Sequence, residues 1–269
     1  MKYFEPDEYA AIALAIEQND TEFCQHWANC PEVSLTQEDR WYRLISDIDH
    51  PYFNSIFVAN LAEDRLAEEI EAAIGPFRER NLPVTWWVGP TTRPTNLGEA
   101  LVQHGLTHTT RESLMAARSY GVNFELLSLD VEILLVRSAP QLRTWVEIMT
   151  GLFSDNSFPQ EPWRKILLKA GLHEDAKLQH VLALVDGEPA GVGSVYFGSS
   201  AGGIYNISVL PAYRRRGVAT SLTLTLASLI EEQGYDLVTL CASAQAVSLY
   251  KRLGFGKFGE VNCFAQMPD

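Results

Sequence analysis

The strongest candidate for chemistry is the segment 207–222, which reads ISVLPAYRRRGVATSL. Three consecutive arginines, Arg214, Arg215 and Arg216, stand before Gly217 and the start of a stretch with helical apolar periodicity. The first turn of a helix has unpaired N–H groups and a partial positive charge, and guanidinium groups add further donors. A turn of this kind can bind an anion such as a pyrophosphate.

Small and hydroxylated residues complete this segment. Gly217 and Ala219 carry no bulky side chain, so the backbone can approach phosphate oxygens closely, and Thr220 and Ser221 offer hydroxyl groups. The competing interpretation is a solvated basic turn before a helix. The predicted order of elements, with a strand before the turn and a helix after it, favours the anion site.

The elements around this turn predict an α/β fold with a mostly antiparallel mixed sheet flanked by helices. Asp186-Gly187 is a hairpin turn signal between two β-rich runs, and Gly234 and Gly254 each follow a helical pattern. Strands are predicted at 178–185, 188–199, 204–210, 236–242 and 257–267, and helices at 218–233 and 245–253.

The first half of the chain repeats this order of elements. The pattern predicts strands at 54–61, 83–89 and 107–118 and helices at 64–81 and 97–104. Gly105-Leu106 corresponds to Gly254-Phe255, with similar residues on both sides. A repeat near half the chain length predicts two related domains, at residues 1–125 and 130–269.

Two motifs in the second half resemble those of the GNAT superfamily of N-acetyltransferases. The first is the acyl-CoA-binding pattern [Gln/Arg]-x-x-Gly-x-[Gly/Ala] after a strand ending in Val-x-Pro, matched by Val209, Pro211, Arg214, Gly217 and Ala219. The second is an ALYxxxGF-like stretch, matched by Ala246, Leu249, Tyr250, Gly254 and Phe255. The resemblance covers roughly residues 131–269 and implies an acetyl-CoA-dependent N-acetyltransferase.

The resemblance also implies roles for individual residues. The backbone of Ile207, Ser208 and Val209 would bind the pantetheine arm of acetyl-CoA, because the family splays its sheet there. Tyr250 would be the general acid that protonates the departing thiolate, a role suited to a phenol with a pKa of about 10; alternatively its hydroxyl simply binds water or backbone. The pyrophosphate would lie against the amides of Arg215, Arg216, Gly217, Val218, Ala219 and Thr220.

The general base is unassigned in this sequence. The strands GGIYNISV and LVTLCA, where many family members carry a carboxylate, contain neither Asp nor Glu. Asp155 and Glu161 are alternative candidates, and His180 could face the acceptor or be structural. Three nearby aromatic residues could line an acceptor pocket or serve packing: Phe153, Phe158 and Trp163.

The first half lacks the anion-binding turn. It has NLAEDRLAEEI where the phosphate site should lie, with acids in place of arginines, and Leu101 in place of Tyr250. We therefore expect residues 1–125 to be a degenerate GNAT-like domain without a cofactor loop. One acetyl-CoA should bind per chain.

Composition restricts the partners. The net charge is −13, of which −12 falls in residues 1–130, so nucleic acid is an unfavourable partner. The sequence shows no signal peptide, no apolar run long enough for a membrane span and no metal-ligand spacing among its four cysteines, which predicts a cytoplasmic protein without a metal. A small-molecule or peptide amine is the expected acceptor. The alternative is a non-catalytic acetyl-CoA sensor that acts through a protein partner.

Overall fold

The computed structural model describes residues 4–151, 160–170, 172–173 and 175–268. Asp155, Phe153 and Phe158 lie outside these described residues. The chain divides into two compact units that interleave along the sequence. Unit 1 comprises Met1–Asp20 and Leu114–Phe258, and unit 2 comprises Thr21–Ser113 and Gly259–Asp269. The predicted domains, 1–125 and 130–269, follow the sequence repeat instead, and that division remains a prediction.

The described residues form the following strands and α-helices. The strands are β1 (Val33–Gln37), β2 (Tyr42–Ser46), β3 (Ser55–Phe57), β4 (Val84–Val88), β5 (Thr107–Arg118), β6 (Glu132–Leu135), β7 (Leu178–Val185), β8 (Glu188–Phe197), β9 (Gly202–Val209), β10 (Leu237–Ala242) and β11 (Gly256–Gln266). The helices are α1 (Tyr9–His26), α2 (Leu66–Glu79), α3 (Leu97–Gln103), α4 (Ala139–Thr150), α5 (Gln160–Ala170), α6 (Val218–Glu232) and α7 (Val247–Arg252).

The periodicity of the sequence predicted most of these elements correctly. The predicted helix at 218–233 is α6, and the predicted strand at 107–118 is β5 with the same bounds. The strand expected at 54–61 is shorter, because β3 ends at Phe57. The sequence analysis did not predict α1, α4, α5, β1, β2 and β6.

The sheet of unit 1 is mixed and mostly antiparallel, as predicted. Strands β6, β7, β8 and β9 pair antiparallel in sequence order, and β10 pairs parallel with β9. Helix α6 covers one face, where Leu222 and Leu226 join a buried cluster with Val181, Val195 and Ile204. This burial of aliphatic side chains fixes the start of α6 against the middle of the sheet.

Glycines in β8 allow α6 to lie close to the sheet. A Cβ atom at Gly191 would lie 2.7 Å from the carbonyl oxygen of Ser208 and 3.0 Å from Val218 Cγ1. A Cβ atom at Gly193 would lie 2.8 Å from Ile207 Cδ1 and 3.0 Å from a methyl group of Leu226. Neither position accommodates a side chain without a shift of its neighbours.

Unit 2 has its own core, packed on strands β1 to β4 and β11. Strands β1, β2 and β3 pair antiparallel in sequence order, β3 pairs parallel with β4, and β4 pairs antiparallel with β11. Trp86 of β4 is fully buried with Ile56, Phe77 and Leu101. Trp86 therefore packs the core of unit 2.

None of the helices within the described part of the chain is both long and apolar enough to cross a membrane.

We expect Gly191→Ala to lower the free energy of unfolding by about 1–3 kcal/mol, because its new methyl group meets the Ser208 carbonyl oxygen and Val218. Urea unfolding measures this change. Gly75→Ala is the control, since a Cβ atom there meets nothing within 4 Å. An equal loss in both variants would show that the close approach of β8 to α6 is not the cause.

Candidate functional site

Strand β9 loses its partner on one side partway along its length. Its parallel ladder with β10 consists of Gly202–Val238, Gly203–Thr239 and Ile204–Leu240, and no pair follows these in the described residues. Burial changes at the same point, from buried at Ile204 to half-buried from Tyr205 onward. The edge of β9 that faces β10 is therefore open to another hydrogen-bonding group from Tyr205 to Val209.

The other side of β9 has an irregular register. Its ladder with β8 shifts between Val192 and Ser194, and Asn206 adopts a positive φ of 58°. A bulge of this kind bends a strand and redirects its side chains. The Asn206 side chain donates to Ser194 Oγ at 3.4 Å, which ties the bulge to β8.

His180 contacts the same Ser194 hydroxyl as Asn206 does. Its Nδ1 lies 2.8 Å from Ser194 Oγ, and its ring centroid lies 4.7 Å from that of Trp145. His180 is buried, with 1% of its surface exposed. These contacts build His180 into the packing between β7, β8 and α4, which agrees with its structural interpretation.

The turn after β9 leads into α6 with two residues at positive φ, Arg215 at 65° and Gly217 at 83°. The first backbone hydrogen bond of α6 runs from the Ser221 amide to the Gly217 carbonyl oxygen at 2.9 Å. The preceding amides of Val218, Ala219 and Thr220 have no acceptor within the helix. Successive free amides in a turn conformation form a concavity that suits an anion.

The arginine side chains are exposed and partly engaged elsewhere. Arg216 pairs with Asp186 at 3.0 Å and stacks 5.7 Å from the Tyr213 ring centroid. Arg214 Nε donates to the Val209 carbonyl oxygen at 3.4 Å. Exposed charges contribute little in water, so the backbone amides are the stronger anion-binding feature of this turn.

The structure brings both sequence motifs into one cluster. Tyr250 on α7 is 6% exposed and packs edge-on against Phe255, with ring centroids 5.9 Å apart. The same buried cluster contains Val218 and Leu222 of α6. Tyr250 therefore packs in the same core as the start of the helix that follows the arginine turn.

Glu161 and Trp163 take structural positions. The Glu161 carboxylate is exposed and accepts two hydrogen bonds from Arg164, at 2.7 and 2.9 Å, which lower its pKa. Trp163 is fully buried, edge-on to Trp145 at 5.7 Å. Trp163 therefore serves packing, and the Glu161 carboxylate is held by Arg164, three residues later.

A carboxylate that sequence analysis missed lies at the opening of β9 and β10. Asp20, near the C-terminal end of α1, accepts hydrogen bonds from Tyr205 on β9 and Cys241 on β10. No motif marked it, because it is about 190 positions before the arginine turn and α1 was not predicted. Its only signal was its residue type.

Among the described residues, no group of three or more His, Cys, Asp or Glu side chains could hold a metal ion. All four cysteines are free thiols. Burial raises the pKa of Cys263 to about 12, so this thiol stays protonated.

Residues 142–255 match the Acetyltransferase (GNAT) family. Among solved structures, the chain is similar to a GCN5-related N-acetyltransferase from Kribbella flavida, with a TM-score of 0.71 and 18% identity over 93% of this chain and 95% of that one. A second GCN5-related N-acetyltransferase, from Sphaerobacter thermophilus, gives a TM-score of 0.63 and 16% identity over 98% and 93%. No curated protein matches the sequence significantly.

A tandem GNAT protein from the clavulanic acid biosynthesis pathway is similar as well. Its structure, without AcCoA, gives a TM-score of 0.60 and 13% identity over 97% of this chain and 95% of that one. At these identities the likenesses show a shared fold. They extend over nearly the whole chain and thus beyond the segment that matches the family.

We expect Ser194→Ala to lower the free energy of unfolding by about 1–3 kcal/mol, since it removes the hydroxyl shared by His180 and Asn206. Thermal and urea unfolding report this loss. Ser228→Ala, which removes an exposed hydroxyl that contacts Glu232, should change the same quantity by less than about 0.5 kcal/mol. Equal losses of unfolding free energy in the two variants would show that the hydrogen bonds of Ser194 do not stabilise the protein more than an exposed hydroxyl does.

Proposed function

We propose, from the premise that residues 142–255 form a domain of the acetyltransferase (GNAT) family, that this protein transfers an acetyl group from acetyl-CoA to a primary amine. The acceptor is a small molecule or a peptide. The observation that carries the proposal is the open edge of β9 that leads directly into the amide-rich start of α6.

The cosubstrate fits these residues in two places. The pantetheine arm contains amide groups, which can pair with the backbone of Ile207, Ser208 and Val209 on the open side of β9. The pyrophosphate suits the amides between Arg215 and Thr220. Gly217 supplies the left-handed conformation at the start of α6, which favours glycine.

The reaction is direct attack. The neutral amine nitrogen forms a bond to the thioester carbonyl carbon, the carbon–sulfur bond breaks, and the sulfur leaves as a thiolate. The nitrogen loses one proton to solvent, and the Tyr250 oxygen regains a proton from solvent after it has protonated the thiolate. A backbone N–H of β9, for which Val209 is our candidate, polarises the carbonyl group. Tyr250 donates its phenolic proton to the thiolate, and proximity of the two substrates supplies much of the acceleration.

The first half of the chain has no comparable anion site in our proposal. The carboxylate of Glu69 in α2 accepts at 2.9 Å from the amide of Ala62, four residues before that helix, and pairs with Arg40 and Arg65, both at 3.2 Å. A carboxylate of the chain itself therefore lies against the segment that leads into α2, where it would repel a phosphate. Residues 1–125 are thus proposed to be the degenerate domain of a tandem pair.

Ala219→Glu should weaken acetyl-CoA binding at least tenfold, because it places a negative charge in the first turn of α6. Thermal stability should not fall, since an acid in a first turn stabilises a helix by about 0.3–1 kcal/mol. Isothermal titration calorimetry gives both the affinity and a stoichiometry of one per chain.

Ala219→Gln is the matched control, because it adds the same bulk without charge and should weaken binding much less. If Ala219→Glu binds acetyl-CoA with an affinity within twofold of that of the wild type, the pyrophosphate does not bind at the start of α6. Two equivalent sites per chain would contradict the degenerate first half.

Tyr250→Phe should lower kcat on the order of 100-fold while the acetyl-CoA dissociation constant stays within about twofold. The phenyl ring keeps the packing against Phe255 and removes only the hydroxyl group. Release of CoA thiol is measured with spermidine, glycinamide, kanamycin and the peptide Ala-Ala-Ala-Ala as acceptors. An unchanged kcat would exclude Tyr250 as the acid, and absence of thiol release with every amine would favour the non-catalytic sensor.

A further inference from the structure

Four polar side chains of unit 1 meet where the ladder between β9 and β10 ends. Tyr205 and Cys241 each stand one residue beyond its last pair, on β9 and β10 respectively. Asn19 and Asp20 reach them from α1. The group therefore lies where the two strands begin to separate.

Asp20 bridges the two strands with its carboxylate. Its Oδ1 lies 2.9 Å from the Tyr205 hydroxyl, and its Oδ2 accepts from Cys241 Sγ at 3.0 Å. The Tyr205 hydroxyl has one proton for two acceptors, Asp20 Oδ1 and Asn19 Oδ1, and the Cys241 thiol donates to Asp20 Oδ2. These contacts fix the position of the carboxylate.

Asn19 fixes the middle of α1 on β9. Its Nδ2 donates to the Ala201 carbonyl oxygen at 2.8 Å, and its Oδ1 lies 2.6 Å from the Tyr205 hydroxyl. A Cβ atom at Gly203 would lie 2.0 Å from this Oδ1, so the strand must have glycine opposite the helix. Asn19 itself is 1% exposed. The position of Asp20 thus follows from buried contacts.

Asp20 and its two contacts, Tyr205 and Cys241, are less buried than the ladder beside them. Ile204 and Leu240, the last ladder pair, are 3% and 2% exposed, whereas Tyr205, Cys241 and Asp20 are half-buried. The change occurs within one residue on each strand. A small ligand that enters the opening can therefore approach Asp20.

The carboxylate also lies near the proposed pantetheine site. Tyr205 precedes Ile207, the first residue proposed to bind pantetheine, by two residues, or about 7 Å along a strand. Neither β9 nor β10 contains an acid of its own. Asp20 thus supplies, from a helix outside the segment that matches the family, a negative charge that these strands lack.

We propose that Asp20 is the acceptor-binding carboxylate of this protein, which binds the ammonium form of a primary amine in the opening between β9 and β10, before the amine loses a proton to solvent and attacks the thioester. Tyr205 and Cys241 orient its two oxygens. This role rests on the proposed acetyl transfer, but the attraction of a cation to Asp20 can be measured without turnover.

Cys241 reports on that attraction because its sulfur touches Asp20. The full-length protein is treated with 2-aminoethyl methanethiosulfonate or with the neutral 2-hydroxyethyl methanethiosulfonate. Each reagent forms a disulfide with Cys241 Sγ and releases methanesulfinate, and mass spectrometry of the Cys241 peptide gives the two rates. The ratio of the rates cancels any change in the intrinsic reactivity of the thiol.

We expect Asp20→Asn to lower this cationic-to-neutral ratio about fivefold or more, the factor that a unit charge at about 4 Å gives in water. Asp20→Glu keeps the charge and should keep most of the ratio. Asp236→Asn is the matched control, because it removes an exposed carboxylate just before β10, five residues and about 16 Å from Cys241.

An unchanged ratio in Asp20→Asn, or a Cys241 that reacts with neither reagent, would overturn the proposal. With the best amine of the acceptor panel, Asp20→Asn should also lower kcat/KM for the amine at least tenfold while the acetyl-CoA dissociation constant stays within twofold. If Asp20→Asn lowers the ratio of modification rates but leaves kcat/KM for the amine unchanged, Asp20 does not bind the acceptor. If Asp20→Asn lowers the ratio but no amine causes thiol release in the wild type, Asp20 attracts cations and the proposed acetyl transfer is contradicted.

Discussion

The end of hydrogen bonding between β9 and β10 is the constraint on which the candidate site depends. Up to Ile204 and Leu240 the two strands satisfy each other's backbone groups, and beyond this pair β9 presents one edge to a ligand. The bulge at Asn206 bends β9 at the same place. A sheet that stayed fully paired would have no position for a substrate between its strands.

The rest of unit 1 holds this opening in place. Gly191 and Gly193 let α6 pack directly on β8, so that the helix begins beside the end of β9. On β9 itself, Gly203 leaves room for Asn19 and thus for the middle of α1. In each case the absence of a side chain determines how closely a helix approaches the sheet. These close approaches place an amide-rich helix start and a carboxylate around one gap.

The two halves of the chain differ in how a helix start is satisfied. In the second half, three amides at the start of α6 have no acceptor within the helix. In the first half, Glu69 of α2 accepts from the amide of Ala62, four residues before that helix. A carboxylate of the chain therefore lies against the segment that leads into α2, whereas the segment that leads into α6 carries three arginines.

The sequence by itself determined the periodic elements and the motif around Gly217, because amphipathic patterns, glycines and short spacings are local signals. These signals predicted α6, β5 and the mostly antiparallel mixed sheet, but they did not predict α1, whose apolar pattern is weak. Only the tertiary structure decided that Asp20 meets Tyr205 and Cys241, and that Trp163 and His180 belong to the packing. Such contacts join residues up to 221 positions apart, and their geometry arises from strand pairing and helix packing, which no local pattern encodes.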